Sequence, residues 1–252
     1  MTAQSPNASH LDVPTYDYSL FGDIKEQPLD NTRQIIGKRL LASWQNIPHV
    51  THHDDIDITD LEASRDSYNA KVSSDSGKLS TLACIIKSCI AGLKQFPDFN
   101  ASLDPSSKTI ILKEYYNIGI AVDSPVGLIV PVLKQADKLS LIEVVLASQK
   151  LAEQARAGTL GFADVEGGSF TVTSLGKMGG TGFTPIINAP EVAIMGVSKM
   201  QFKPVEYQGE IALRKMLPLS LSYDHRVIDG AKAAHFMAFI RERLQSPRFL
   251  EE

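Results

Sequence analysis

The chain has 252 residues, of which 43% are hydrophobic and 21% charged, with a formal net charge of -4. That is enough apolar material for one large domain or two ordinary ones, each with its own core. A mildly acidic balance gives no electrostatic reason to expect nucleic acid or an anionic membrane surface, and no apolar run approaches the roughly 18 residues that span a bilayer. A soluble protein is expected.

Residues 1–14 are rich in Ser, Pro, Asn and Ala and read as linker. The first thirty residues carry Asp12, Asp17, Asp23, Glu26 and Asp30 against Lys25 and hold no apolar signal core, which argues against a secretory or organellar targeting peptide. Tyr16, Tyr18, Leu20, Phe21 and Ile24 cluster without the length of a helix or strand, so residues 1–30 are read as linker and an arm that packs on a larger body, and residues 31–252 as one domain. Asn31 or Thr32 can cap a helix to about residue 45, with Ile35, Ile36, Leu40, Leu41 and Trp44 on one face.

After Pro48 an extended stretch covers residues 50–58. Its His52-His53-Asp54-Asp55 invites a metal reading, but adjacent residues on a strand face opposite ways, so strand histidines without a metal are expected. Helices follow at about 60–68, carrying Arg65, and at 80–96. Cys84 and Cys89, five apart in the second, fit neither a disulfide framework nor a metal site and read as small buried hydrophobes.

Strands are then predicted at 110–112, 116–122 and 128–132, the last two joined by a hairpin loop over 123–127. An amphipathic helix runs over 139–156 and stops at Gly158. A strand over 169–175 enters Gly176-Lys177-Met178-Gly179-Gly180-Thr181-Gly182, which is neither a Walker loop nor a Rossmann fingerprint. Strands at 191–197, 202–207 and 211–216, with a turn at Gln208-Gly209, complete the set before a buried run over 216–221 and a helix over 231–244. Helices early, strands through the middle and a closing helix indicate an α/β or α+β sandwich around a mixed sheet.

The chemistry concentrates at Asp224-His225-Arg226-Val227-Ile228-Asp229-Gly230, between that buried run and the last helix. A histidine flanked by carboxylates at such a corner can act as a general base, although a hydrogen-bonded structural histidine accounts for the string equally well.

This string resembles the signature of the dihydrolipoamide acyltransferases, the core subunits of 2-oxo acid dehydrogenase complexes. Ile47-Pro48-His49-Val50-Thr51, Asn117-Ile118-Gly119-Ile120-Ala121-Val122-Asp123, Gly127-Leu128-Ile129-Val130-Pro131-Val132 and residues 167–198 resemble further blocks of that family, in its order. The resemblance implies a chloramphenicol-acetyltransferase-like fold and thioester exchange between lipoyl-linked acyl groups and coenzyme A. It implies His225 as the catalytic base, Thr173, where many relatives have Ser, as the hydroxyl facing the oxyanion, and Asp229 as a residue that holds the site together, with an Arg such as Arg226 as its expected partner. Arg65, Ser80, Asp123, Thr173, Ser174 and Ser198 match positions that contact coenzyme A.

The resemblance further implies a homotrimer with its sites between neighbours, the question of a larger core being left open. It implies lipoyl groups on a lipoyl domain outside this chain, partnership with decarboxylase and dihydrolipoamide dehydrogenase components, and a location in the cytoplasm, or in the mitochondrial matrix for a eukaryotic source. Thr184-Pro185-Ile186-Ile187-Asn188-Ala189-Pro190-Glu191 looks closest to acetyl-transferring, pyruvate dehydrogenase-type members; branched-chain and acetoin-type enzymes, and a non-catalytic structural core, are the alternatives. The acidic ending Glu251-Glu252 differs from the apolar anchor common in relatives that build large cores.

Overall fold

A computed structural model describes residues 16–72, 77–106 and 108–246. The linker at 1–14 and the acidic ending lie outside them. The elements are α1 (Asn31–Asn46), β1 (His49–Asp57), α2 (Thr59–Lys71), α3 (Thr81–Gln95), β2 (Ala101–Leu103), β3 (Ile110–Leu112), β4 (Ile118–Ile120), β5 (Val122–Ser124), β6 (Gly127–Ile129), β7 (Val132–Leu133), α4 (Leu141–Ala157), β8 (Phe170–Ser174), β9 (Ala193–Val197), β10 (Gln201–Tyr207), β11 (Glu210–Asp224) and α5 (Gly230–Gln245).

The main sheet runs β1-β11-β9-β8-β4-β7, with β10 paired to β11. It is mixed: β8 lies parallel to β4 and β9, and the other pairs are antiparallel. The expected sandwich is therefore present, and the helical periodicities of 80–96, 139–156 and 231–244 correspond to α3, α4 and α5.

Four local expectations are corrected. The cap of α1 is Asp30, whose carboxylate accepts from the Arg33 N–H at 2.8 Å, rather than Asn31 or Thr32. The predicted strand 116–122 breaks at Ala121 into β4, which pairs with β8 in the main sheet, and β5, which leaves that sheet to pair with β6. Asp123 consequently lies in a strand, and the hairpin turn is tighter than 123–127. The two runs 211–216 and 216–221 are one 15-residue strand that passes through Pro218. The Gln208-Gly209 turn forms as expected, with both residues at positive φ (55° and 86°), which matches the twist of the β10–β11 hairpin.

Alternation along the strands gives the sheet two unlike faces. Ile56, Leu219, Leu221, Val172 and Met195 join the main core with α3 and α5. There Phe236 of α5 stacks on Phe99 at 4.2 Å, and a Cβ on Gly92 would come within 2.9 Å of the Phe236 ring, so the α3–α5 approach requires glycine. The other face carries Thr51, His53, Ser220, Ser222, Thr171 and Thr173. Thr51 Oγ1 meets Ser222 Oγ at 2.8 Å and His53 Nδ1 meets Ser220 Oγ at 2.9 Å, so these four side chains satisfy one another across β1 and β11. The segment after β8 folds across it. Phe183 lies over Gly196, where a Cβ would stand 2.8 Å from the ring, and Ile187 joins Ile194 and Ile47 in a small apolar cluster.

The apolar side chains of the arm and of α1 remain largely uncovered by the chain itself: Phe21 is 79% exposed and Trp44 54%. Among the described residues no helix is long and apolar enough to cross a membrane.

Candidate active site

His225 begins the turn that follows β11. Its N–H donates to Pro48 O at 3.1 Å, the Val227 and Ile228 N–H groups donate to Asp224 O, and the His225 side chain is exposed. The buried Asp224 carboxylate accepts from the Arg226 backbone N–H at 3.0 Å and from the Arg226 guanidinium at 2.9 Å (Nε) and 2.6 Å (Nη2). This corrects the expected Asp229–Arg226 pair. The turn folds Arg226 back over Asp224, and those hydrogen bonds hold the guanidinium pKa above its usual value. Asp229 instead caps α5, its carboxylate accepting from the Lys232 N–H at 2.8 Å, where the unpaired N–H groups and dipole of a helix start favour an anion.

The residues matched to coenzyme A contacts gather at the opposite end of the sheet. Ser174 and Ser198 line a cleft of about 260 Å³ together with Glu62, Thr81, Gly176 and Lys199. The Ser198 hydroxyl is buried without a hydrogen-bond partner in the chain. A ligand donor or acceptor entering the cleft would relieve that. Ser174 Oγ accepts from the Gly176 N–H at 3.2 Å, and Gly176, Gly179 and Gly180 all have positive φ, so the glycine-rich segment turns sharply at the cleft wall. Ser80 caps α3 by accepting from the Ala83 N–H. Asp123 is exposed and lies on β5, two residues beyond Ala121, whose N–H bonds Val172 O on β8.

Arg65 is neither a solvated charge nor a free phosphate clamp. Its Nε and Nη2 donate to Glu62 at 3.0 and 2.9 Å, Nη2 also to Asp66 at 2.7 Å, and Nη1 to Leu79 O at 3.3 Å. Four of its five N–H groups are thus occupied within the chain. Burial acts to raise the Glu62 pKa, but the Arg65 and Thr81 hydrogen bonds outweigh it and hold the carboxyl below its usual range. Glu62 and Thr81 escaped notice in the sequence. The signal available for Glu62 was its i, i+3 spacing to Arg65 on a helix. Cys84 and Cys89 are buried, and burial pushes both thiols up to about 12, which leaves them unreactive.

Thr173 and His225 do not meet within one chain. Thr173 pairs with Gly196 and Gly196 with Ser220, so Thr173 lies level with Ser220. His225 lies five residues further along, about 16 Å at the rise of a strand, and β8 is two strands removed from β11, about another 10 Å sideways. The structure groups Ser174, Ser198, Ser80 and Arg65 around the cleft beside Thr173, sets Asp123 on β5, and leaves His225 and Asp229 at the other end.

A mixed sheet with helices packed on it is similar in fold to chloramphenicol acetyltransferase, which matches with a TM-score of 0.51 at 11% identity, over 88% of this chain and 99% of that one. That likeness defines the fold. Residues 21–251 match the family model of the 2-oxoacid dehydrogenases acyltransferase catalytic domain, and the chain belongs to that family. It is 49% identical over 234 residues to the dihydrolipoyllysine-residue acetyltransferase component of the pyruvate dehydrogenase complex of Cupriavidus necator, covering 93% of this chain and 42% of that protein. For the same component of Pseudomonas aeruginosa the identity is 47%, over 94% of this chain and 44% of the relative. The chain therefore spans less than half the length of these relatives. Among solved structures, the Azotobacter vinelandii dihydrolipoamide acetyltransferase superposes with a TM-score of 0.91 at 46% identity, over 95% of this chain and 99% of that one. The cubic core of a pyruvate dehydrogenase multienzyme complex gives the same values.

Proposed function

We propose that this chain is the catalytic core of an acyltransferase that moves acetyl between dihydrolipoamide and coenzyme A at sites shared by neighbouring copies. One observation carries the reading: the two chemical halves of the site lie at opposite ends of one sheet, so a copy of the chain has both only when a second copy completes it. The Azotobacter vinelandii enzyme supports it. The study of that structure concerns a serine, a histidine and an asparagine in the catalytic mechanism, with the serine and asparagine at the same separations from the histidine as Thr173 and Asp229 from His225.

A free thiol, with a pKa of about 8.5, is only a few per cent thiolate near neutrality. Neutral His225 takes the coenzyme A thiol proton as the sulfur attacks the acetyl-dihydrolipoamide thioester carbonyl, a gain of about 10²–10⁴-fold. The resulting oxyanion accepts a hydrogen bond from the Thr173 hydroxyl of the neighbouring copy, and one such donor is worth about 10²–10³-fold. Collapse breaks the bond to the dihydrolipoamide sulfur, which leaves with the proton held on His225. The Asp224–Arg226 pair and the Pro48 carbonyl hold the backbone that carries the base; Asp229 acts as a helix cap. Arg65, Ser80, Asp123, Ser174 and Ser198 surround the coenzyme A arm, with Arg65 serving through its remaining N–H.

The assembly is a homotrimer in which the apolar arm from Tyr16 to Ile24 and the apolar face of α1 pack on a neighbour. Lipoyl groups reach it on lipoyl domains, in company with the decarboxylase and dihydrolipoamide dehydrogenase components, in the cytoplasm. The test is thioester exchange with free dihydrolipoamide and a panel of acyl-coenzyme A substrates, using wild type and His225→Ala. Acetyl is expected to be the preferred group, and the variant to lose at least about 10²-fold in kcat while coenzyme A affinity stays nearly unchanged. Near-normal turnover by a folded His225→Ala would rule out the assigned base.

A further inference from the structure

The corner that carries His225 is built against the segment Ile47-Pro48-His49, and His49 has a geometry the proposed chemistry does not use. Its Nδ1 lies 2.8 Å from Ile47 O, and its Nε2 accepts from the Ile187 N–H at 3.0 Å. The partners decide the tautomer. Ile47 O can only accept and Ile187 N–H can only donate, so the proton sits on Nδ1 and Nε2 is bare. The Ser43 hydroxyl takes the other side of the same peptide-bearing residue, donating to Ile187 O at 2.5 Å. The β1–β11 pairing that begins at His49 and Asp224, and the Ile47 N–H bond to Ser43 O, hold the rest of this corner. Its apolar cluster is Ile47, Ile187 and Ile194, separate from the main core.

We infer that His49 is a positioning residue for His225, and that it works only while neutral. The ring props the Ile47–His49 backbone against the residue 187 segment, and the carbonyl it steadies, Pro48 O, is the acceptor of the His225 N–H. His49 also stands opposite Asp224 in the β1–β11 register. A proton added at Nε2 would place an N–H against the Ile187 N–H, the bond between them would be lost, and the Pro48 carbonyl would lose its prop. A displacement of about 1 Å at a reacting group can cost on the order of 10²-fold in rate.

The charged and titratable groups of the elements packed on this corner are few. At this end of β11 and in its turn they are Tyr223, Asp224, Arg226, which occupies Asp224, His225 itself and Asp229, held by the Lys232 N–H. On the facing segment it is buried Glu191, which accepts from Asn188 Nδ2 and has Lys113 nearby. On α1 it is Arg39, one turn before Ser43. The Arg241–Asp54 pair, which joins α5 to β1, involves a residue on the opposite face of the strand.

The protein carries its own reporter. Trp44 is the single tryptophan of the chain, and its ring centroid lies 5.3 Å from that of His49. A cationic imidazole in contact with an indole quenches its emission. Emission should therefore fall as the His49 ring gains a proton on acidification, in the wild type and in His225→Ala alike. It should stay flat in His49→Gln, whose amide accepts from Ile187 without titrating.

The kinetic arm rests on His225 being the base. The acid limb of log(kcat/KM) should approach a slope of two protons in the wild type and one in His49→Gln, which should keep kcat at neutral pH within about tenfold. His49→Asn reaches only Ile47 O and should lose about tenfold or more in kcat with little change in KM for coenzyme A. A quench that persists in His49→Gln, or an unchanged acid limb in that variant, overturns the inference. A fully active His225→Ala would overturn the proposed base instead, and the emission titration would still decide His49.

Discussion

Thr173 and His225 occupy opposite ends of one sheet: Thr173 is level with Ser220, and His225 stands five residues beyond it. A general base about 16 Å away along the strand cannot serve a tetrahedral centre that needs both groups within hydrogen-bond reach. The proposed exchange joins two arm-borne thiols, one on pantetheine and one on lipoyl-lysine; such a reaction calls for a channel open at both ends, which a cleft between subunits would provide.

Complementation tests the sharing directly. His225→Ala and Thr173→Val should each be inactive; unfolded together and refolded, they should regain part of the wild-type exchange rate as some interfaces unite an intact His225 with an intact Thr173. If mixed oligomers are confirmed by mass and no activity returns, the two groups act within one chain.

The hydroxyl, rather than the branch, should matter at position 173. Thr173→Ser is expected to keep most of the exchange rate, whereas Thr173→Val should lose about 10²-fold or more in kcat. Thr and Val are close in shape, and Thr173 is only half-buried on β8, so melting temperatures should stay close to wild type. Wild-type turnover by Thr173→Val would assign the oxyanion to another donor.

Asp229 should behave as a cap. Asp229→Ala removes the acceptor of the Lys232 N–H and should cost about 1 kcal/mol, read as a fall of about 2–4 °C in melting temperature. Asp229→Asn keeps the acceptor and should melt nearly as wild type. An Asp229→Asn protein with unchanged melting, unchanged coenzyme A binding and no activity would show a direct chemical role instead.

Glu191 should make stability depend on pH. Burial pushes its carboxyl up to about 7, against weaker opposing pulls from Thr171, Lys113 and Asn188. The folded form then binds a proton that the unfolded form has released above about pH 4.5. Stability contributed by the neutral carboxyl is complete below that value, declines as pH rises to about 7 and levels off above it. The loss is at most about 3 kcal/mol. Glu191→Gln should flatten this decline, and thermal melts of both proteins between about pH 4.5 and 8 would show it. A wild-type curve that rises over this window would mean the carboxylate is ionised in the fold.

Much of this was legible without coordinates. The periodicity of 80–96 and 231–244 fixes α3 and α5, because a helix that buries one stripe must repeat its apolar residues every three to four positions. The string from Asp224 to Gly230 identified the family through residue types alone, and the proposed base His225 and proposed hydroxyl Thr173 follow from their match to family positions. What the linear chain could not reveal depends on which segments lie side by side. Arg226 pairs with Asp224 because the turn folds it backwards, while Asp229 is claimed by a helix start. Arg65 is bound to Glu62 because burial favours a paired guanidinium over a free one. The run 116–122 breaks at Ala121 because β4 belongs to the main sheet while β5 pairs with β6. Above all, the distance between Thr173 and His225 follows from strand register, which is set by pairings between residues far apart in sequence: one chain supplies both halves of the site and holds them apart.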